Sequence, residues 1–344
     1  MPILFPTTVK ASPSFTEPEK IITYTQASGA FNALADDGRP RVKISPTDMA
    51  VYIDQIDLRT DAKAGQSPGN ELPSAVVQGS YIGTPTYLIR TRSIYDHHDV
   101  ARAAAWKVSA VSALDLAGYQ GIFQSMRTAL LYGFNPQSGE GLLNIPGVDQ
   151  VNLPPDSNKN QTLVTYDNGQ MLNFWLGQIV NLKARMFQSA KGMGVKVKVI
   201  SPQRIFLTLA QAKIVELTSY QRPGGGTSTV AESIANVATA NGDTFEWYFD
   251  DSLIGKGAGG NDAVILTVPE IKPPSMPGIN TNIFGSDLMP ALNACNLMYT
   301  DFATPVKIPT PIPDGGITTV YEQRITSGWG VRPEATSIIS IKYQ

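Results

Sequence analysis

The residue types in this chain that could do chemistry fall into a few short clusters. Gly255-Lys256-Gly257-Ala258-Gly259-Gly260 has the spacing G-x-G-x-x-G. A dinucleotide site with that spacing needs a strand before it and a helix N-terminus after it, because the helix end holds the pyrophosphate. Here the β-branched run Ala263 to Val268 follows, so the expected structure is a flexible hairpin loop between strands. No GxxxxGK[ST] segment occurs, and the glycine run after Pro223 has no lysine to meet a phosphate, so it too reads as a mobile loop. His97, His98 and Asp99 could ligate a metal or exchange protons. Adjacent helix positions point about 100° apart, however, and the sequence has no other histidine to complete a shell. Asp250 and Asp251 are expected side by side in a strand, facing opposite ways, which prevents joint acid–base work. Cys295, the sole cysteine, has no histidine near it in sequence and is expected to be buried as a small apolar group. The sequence therefore nominates no catalytic, cofactor-binding or metal-ligating residue, and the expected protein is not an enzyme.

The elements that would position such residues are more informative. Residues 96–133 read as one long helix that Asp96 caps and Gly133 stops. Ala101, Ala105, Ser109, Ala113, Ala117 and Gly121 recur every four residues, a row over which another backbone is expected to pack. Gly118 and Gly121 leave room for a bend. Before this helix, AVYIDQIDLR (50–59) alternates like a strand. A polar connector follows, and AVVQGSYIG and TYLIRTRSIY return, so a long hairpin is expected. Residues 1–45 are interrupted by Pro2, Pro6, Pro13 and Pro18 yet carry Ile3, Leu4, Phe5, Phe15 and Phe31. Such a segment is either a disordered terminus or an arm lying on a neighbouring surface, and its large apolar groups fit the arm better. Arg39, Arg41 and Lys43 at its end read as a solvated turn.

Further on, an amphipathic helix is expected over 168–191. A half-buried strand follows at 195–201 with Lys196 and Lys198 outward, then a short helix after Pro202 and a strand at 214–219. A helix ending at Gly242 and two strands around the glycine loop come next. The irregular alternation indicates an α+β domain. Residues 317–343 read as a closing strand pair.

Composition points the same way. Charged residues make up 16% of the 344, against roughly 25% in an average soluble domain. Permanent interfaces are depleted in charge, so extensive self-association is expected. A net charge of −2 argues against a dedicated sequence-reading nucleic-acid protein. One cysteine gives no intramolecular disulfide framework and favours cytosolic synthesis. No apolar run approaches the ~18 residues of a membrane span.

The succession of apolar arm, long hairpin, long helix, α+β insertion and terminal strand, with Glu322-x-Arg324 and Arg332-Pro333-x-Ala335 near the end, resembles the major capsid protein of tailed double-stranded DNA bacteriophages, the Hong Kong 97-like fold. The resemblance implies an N-arm at 1–45 and an extended β-hairpin E-loop at 46–95. It implies a P-domain with its spine helix at 96–168 and 305–344, and an inserted A-domain at 169–304. It also implies self-assembly into pentamers and hexamers of an icosahedral head and non-specific contact with packaged double-stranded DNA. Portal or decoration proteins would be further partners, with assembly in the host cytoplasm, residence in the virion and no membrane. Some members carry a long cleaved scaffolding segment ahead of the arm. None stands here, so a separate scaffold, or none, is expected. Lys63 lies near the expected hairpin tip, but no crosslinking partner can be assigned to it. The rival readings are an encapsulin-type nanocompartment shell, a tail or decoration protein, and a nucleotide-dependent enzyme using residues 255–260.

Overall fold

The computed structural model describes residues 44–59, 76–105, 109–186, 194–213, 228–269, 297–298, 305–313 and 315–344, together with Ala30 and Ala33. Most of the expected arm, its basic cluster, Lys63, the strand expected at 214–219, the glycine run after Pro223, and Cys295 lie outside these residues. Over the described residues the chain forms two compact units. One takes Pro40–Met126 and Tyr299–Ser327, and the other Arg127–Met298 and Gly328–Gln344.

The first unit is built on the expected hairpin. Strand β1 (Ala50–Arg59) pairs antiparallel with β2 (Val76–Tyr95), from Ala50↔Pro85 to Arg59↔Val76. At 20 residues, β2 outlasts its partner. Its second half pairs with a strand at Ile317–Thr326, which in turn pairs with one at Val306–Pro311. Numbering in chain order gives β8 (Val306–Pro311) and β9 (Ile317–Thr326), and the sheet order β1-β2-β9-β8.

The expected single helix is two. Helix α1 (His97–Ala105) starts as predicted, with the Asp99 amide donating to Asp96 Oδ1 at 2.8 Å. Ser109 is non-helical and opens α2 (Ala110–Tyr132), its hydroxyl accepting from the Ser112 amide at 3.3 Å. A serine hydroxyl offers the backbone an alternative to continuing a helix, which is why serine starts helices better than it extends them. Helix α2 has 23 residues, is unbroken at Gly118 and Gly121, and spans about 35 Å. Gly133 stops it at φ +70°, as expected.

The small-residue row faces the other way from expectation. Ala101, Ser109, Ala113 and Ala117 are exposed, and a Cβ on Gly121 would meet nothing within 4 Å. The buried stripe is the next one round: Ala110, Gly118, Ile122, Met126 and Ala129. A one-residue offset turns a helical row by about 100°. The close approach is at Gly118, where a Cβ would lie 2.7 Å from the ring of Tyr321.

The second unit holds a five-stranded mixed sheet. Its strands are β3 (Asp149–Asn152), β4 (Lys196–Ser201), β5 (Thr244–Phe249), β6 (Asp262–Thr267) and β11 (Thr336–Ile341), in the order β3-β11-β6-β4-β5. Leu297–Met298 (β7) and Trp329–Gly330 (β10) form a separate short pair. Helices α3 (Asn168–Arg185), α4 (Gln203–Gln211) and α5 (Val230–Ala240) complete the unit. α3 ends at Arg185 rather than at Lys191. Strands β4 and β5 are parallel, with α4 and α5 between them in sequence, the crossover that parallel pairing requires. One continuous core joins Trp175, Ile179 and Leu182 of α3 to Val197, Val199, Leu266 and Ile339 of the sheet.

Two expectations fail here for one reason. Lys198 is fully buried rather than outward, with its ammonium donating to the Ala33 carbonyl, because β4 lies inside the sheet and is covered on both faces. The closing strand pair does not exist: β9 and β11 belong to different sheets. Strand partners are chosen by tertiary contacts, which alternation along one segment does not encode.

Gly118→Val should force Tyr321 off its seat and cost about 1–3 kcal/mol, read from denaturant unfolding. Ala113→Leu, on the exposed row, should stay within about 0.5 kcal/mol of the parent.

Candidate functional site

The glycine loop and the aspartates weighed for chemistry are engaged in structural bonds. The 255–260 loop is preceded by a 3-10 turn at Asp251–Leu253 and followed by β6. It joins β5 to β6, but β4 lies between them, so the loop is not the expected hairpin. Its amides already have partners: Gly257 donates to the Asn261 carbonyl at 2.6 Å, Ala258 to Ser340 Oγ at 2.9 Å, and Gly255 to Asp262 Oδ1 at 3.0 Å. Amides so engaged cannot cradle a phosphate.

Asp250 and Asp251 do not lie in the expected strand but open that 3-10 turn. Buried Asp250 pairs with Arg127 at 2.7 Å, and Asp251 accepts from the Gln203 amide at 2.9 Å. Asp243 and Asp262 are likewise buried and paired, with Lys183 at 2.8 Å and with both donors of the Arg204 fork at 2.5 and 2.7 Å. The hydrogen bonds that Arg204 donates to Asp262, outweighing burial, raise the Arg204 pKa. Buried carboxylates persist only where a cation or several donors meet them. His97 and His98 stack at 3.9 Å between ring centroids and are exposed. No group of three or more metal-ligating side chains occurs among the described residues. No helix among them is long and apolar enough to cross a membrane.

What remains is the hairpin and the sheet that roots it. Tyr52 and Tyr81 lie on one face of the hairpin, edge to face at 5.8 Å, and are 65% and 73% exposed. Tyr52 lies over Gly83, where a Cβ would come within 2.7 Å of its ring. The E-x-R pair stands on one face of β9, two residues apart. Glu322 takes Arg90, its direct cross-strand neighbour, at 3.0 Å. Arg324 reaches the hairpin root, donating to the Asp48 carbonyl at 3.0 Å and to Thr86 Oγ1 at 2.9 Å. The R-P-x-A half serves the other unit. Its proline opens the 3-10 turn Pro333–Ala335, and the Ala335 carbonyl accepts from the Val268 amide at 3.0 Å.

The opposite face of β9 carries Tyr321, 1% exposed, which sequence reading did not single out. Its ring lies on Gly118 and meets Tyr119 edge to face at 5.5 Å. Its hydroxyl donates to Asp115, which also takes Lys307 of β8 at 2.7 Å. The alternation of Tyr321, Gln323 and Ile325 with Glu322 and Arg324 was the available signal, since it separates a buried face from a polar one. Beside this seat, Tyr119, Ile122, Phe123, Met126, Pro305 and Gln323 line an apolar groove of about 320 Å³.

Burial works against the Asp115 charge, but hydrogen bonds from Lys307 and Tyr321 and the Lys307 charge outweigh it, so its pKa falls below the ordinary 3.8. The hydrogen bond to Asp115 raises Lys307 above 10.5. The aspartate's contribution is thus present above its ordinary pKa and lost as pH falls through the lowered one. The lysine's is present below 10.5 and lost as pH rises through the raised value. In denaturation measured against pH, Asp115→Asn should flatten the acid limb of the stability curve and Lys307→Met the alkaline limb. Parent-like curves for both variants would remove this ion pair from the account.

No family model matches the chain, and no curated protein matches it. Solved structures do, at low identity. A chain from the capsid of Myoviridae phage XM1 is 11% identical with a TM-score of 0.64, over 96% of this chain and 99% of that one. One from the bacteriophage PhiM1 mature capsid is 10% identical with a TM-score of 0.54, over 96% and 91%. One from the capsid of an empty GTA particle is also 10% identical at 0.54, over 96% and 95%. At such identities the likeness speaks for the fold, and it extends over nearly the full length of both partners in each comparison. The chain has the α+β Hong Kong 97-like fold of phage capsid structures.

Proposed function

We propose that this chain is the major capsid protein of a tailed double-stranded DNA phage, a structural subunit that self-assembles into the pentamers and hexamers of an icosahedral head. The observation that carries the reading is the near full-length likeness to chains of solved capsids. The exposed aromatic hairpin and the low charge of the chain support it, because both supply surface that a neighbouring copy can cover. The nucleotide-dependent alternative has no support from the 255–260 loop, whose amides are engaged internally.

On this reading residues 1–45 are the N-arm and 46–95 the E-loop. Residues 96–168 and 305–344 form the P-domain, and 169–304 the A-domain around the centre of each capsomer. The arm and hairpin lie across adjacent copies. The inner surface meets packaged DNA through scattered Lys and Arg without sequence preference, and a separate scaffold, portal or decoration protein completes the head. The subunit assembles in the host cytoplasm and resides in the virion.

Electron microscopy of the expressed protein, alone and with its scaffold, should show closed icosahedral shells. Open rings or trimers under all conditions would favour a tail or decoration protein. DNA-filled heads in infected cells separate the virion role from a protein-filled compartment. Deleting residues 1–45 should abolish closed particles and leave a soluble subunit, and normal shells from that truncation would remove the arm from the assembly account.

A further inference from the structure

The two edges of the four-stranded sheet differ in a way that bears on how copies can meet. An edge strand presents to a second chain the backbone groups of every other residue, while the alternate residues bond inward. In β8 the parity is set by the turn that follows. The Ile312 amide donates to the Gly316 carbonyl at 2.8 Å, so Ile312, Thr310, Ile308 and Val306 face β9. Lys307, Pro309 and Pro311 therefore face out. Proline has no N–H, so two of the three outward positions of β8 have no donor. The strand is exposed along its whole length, and no further strand lies beyond it among the described residues.

The other edge is the reverse case. The Thr86 amide donates to the Met49 carbonyl at 3.0 Å, which places Met49, Val51 and Ile53 toward β2. Ala50, Tyr52, Asp54, Ile56 and Leu58 face out, and each carries an N–H. β1 can thus extend a ladder, whereas β8 offers a single isolated donor at Lys307.

We propose that Pro309 and Pro311 are specificity determinants of self-association: they bar β1 of one copy from adding to β8 of another. That contact would be head to tail, and a head-to-tail contact whose rotation does not close runs on into an open filament. The prolines stand where they leave the native ladder intact. One residue further along in either direction, each would remove a bond to β9. The consequence for shell closure rests on the capsid reading. The barrier itself does not, and it can be measured on unassembled subunits.

The test uses the full chain with Pro309→Thr and Pro311→Thr together, at a concentration where the parent sediments as one unassembled species. Sedimentation velocity should show loss of that boundary to species that grow with concentration and bind thioflavin T. The new amides at 309 and 311 should be protected from hydrogen exchange. Adding Asp54→Pro, which removes an outward donor from β1, should restore the parent boundary. A folded double variant that sediments like the parent, with both new amides exchanging at solvent rates, overturns the proposal. Association that Asp54→Pro fails to reverse overturns the β1-to-β8 pairing. If the double variant loses its circular dichroism signal, Pro311→Thr alone decides by the same readouts. Association through β8 in a protein that never forms shells would leave the barrier standing and count against the capsid reading.

Discussion

The first unit depends on one seat, the Tyr321 ring lying on the bare backbone of Gly118. Several features follow from that contact. The ring can reach the helix because glycine leaves no Cβ in the way. Its buried hydroxyl then needs a partner, which Asp115 provides one helical turn earlier. Asp115, drawn into partial burial, needs a cation, and Lys307 arrives from the edge strand. One aromatic residue of β9 thereby ties α2 to both β9 and β8. A long thin sheet with an exposed hairpin has little core of its own, so this anchoring is what gives it a fixed base.

The opposite face of β9 performs a second task with the alternate residues. Glu322 and Arg324 point away from α2 and hold β2 and the hairpin root. The strand is thus a two-sided clamp, apolar toward the helix and charged toward the hairpin. The pleat makes this possible, since successive side chains leave a strand on opposite faces. The second unit uses charge differently. Asp243, Asp250 and Asp262 are buried one by one against Lys183, Arg127 and Arg204. Several of the few charges in this chain are therefore internal.

A subunit that associates with copies of itself must expose surface for the right contacts and withhold it from wrong ones. The hairpin exposes Tyr52 and Tyr81 and turns alternate amides of β1 away from β2, while β8 carries proline at alternate positions. Attraction and exclusion sit on opposite edges of one sheet. The arrangement needs no extra element, because residue parity alone decides whether a proline removes a native bond or a foreign one.

Much was legible in the sequence wherever the determinant is local. The Asp96 cap, the Gly133 stop and the helix that stops just before Gly242 follow from neighbours within a few residues, and the existence of the hairpin from the alternation of its two arms. Pattern along the chain specifies a helix or a strand because capping, φ restriction and side-chain alternation act at that range. What pattern cannot specify is which face meets which partner. The four-residue row of small side chains proved exposed, and the stripe one residue round carries the contact, since Gly118 stands in that stripe and the choice belongs to Tyr321, some 200 residues away in sequence. Lys198 alternates like an outward residue yet is buried, because β4 is an inner strand, paired with β5 and β6 on its two edges and buried on both faces. β9 and β11 read as a pair and lie in separate sheets, each held by a partner from a distant part of the chain. The sequence by itself determined most of the elements and some of their ends. The tertiary structure decided their partners, because burial is a property of what packs against a surface and not of the segment that bears it.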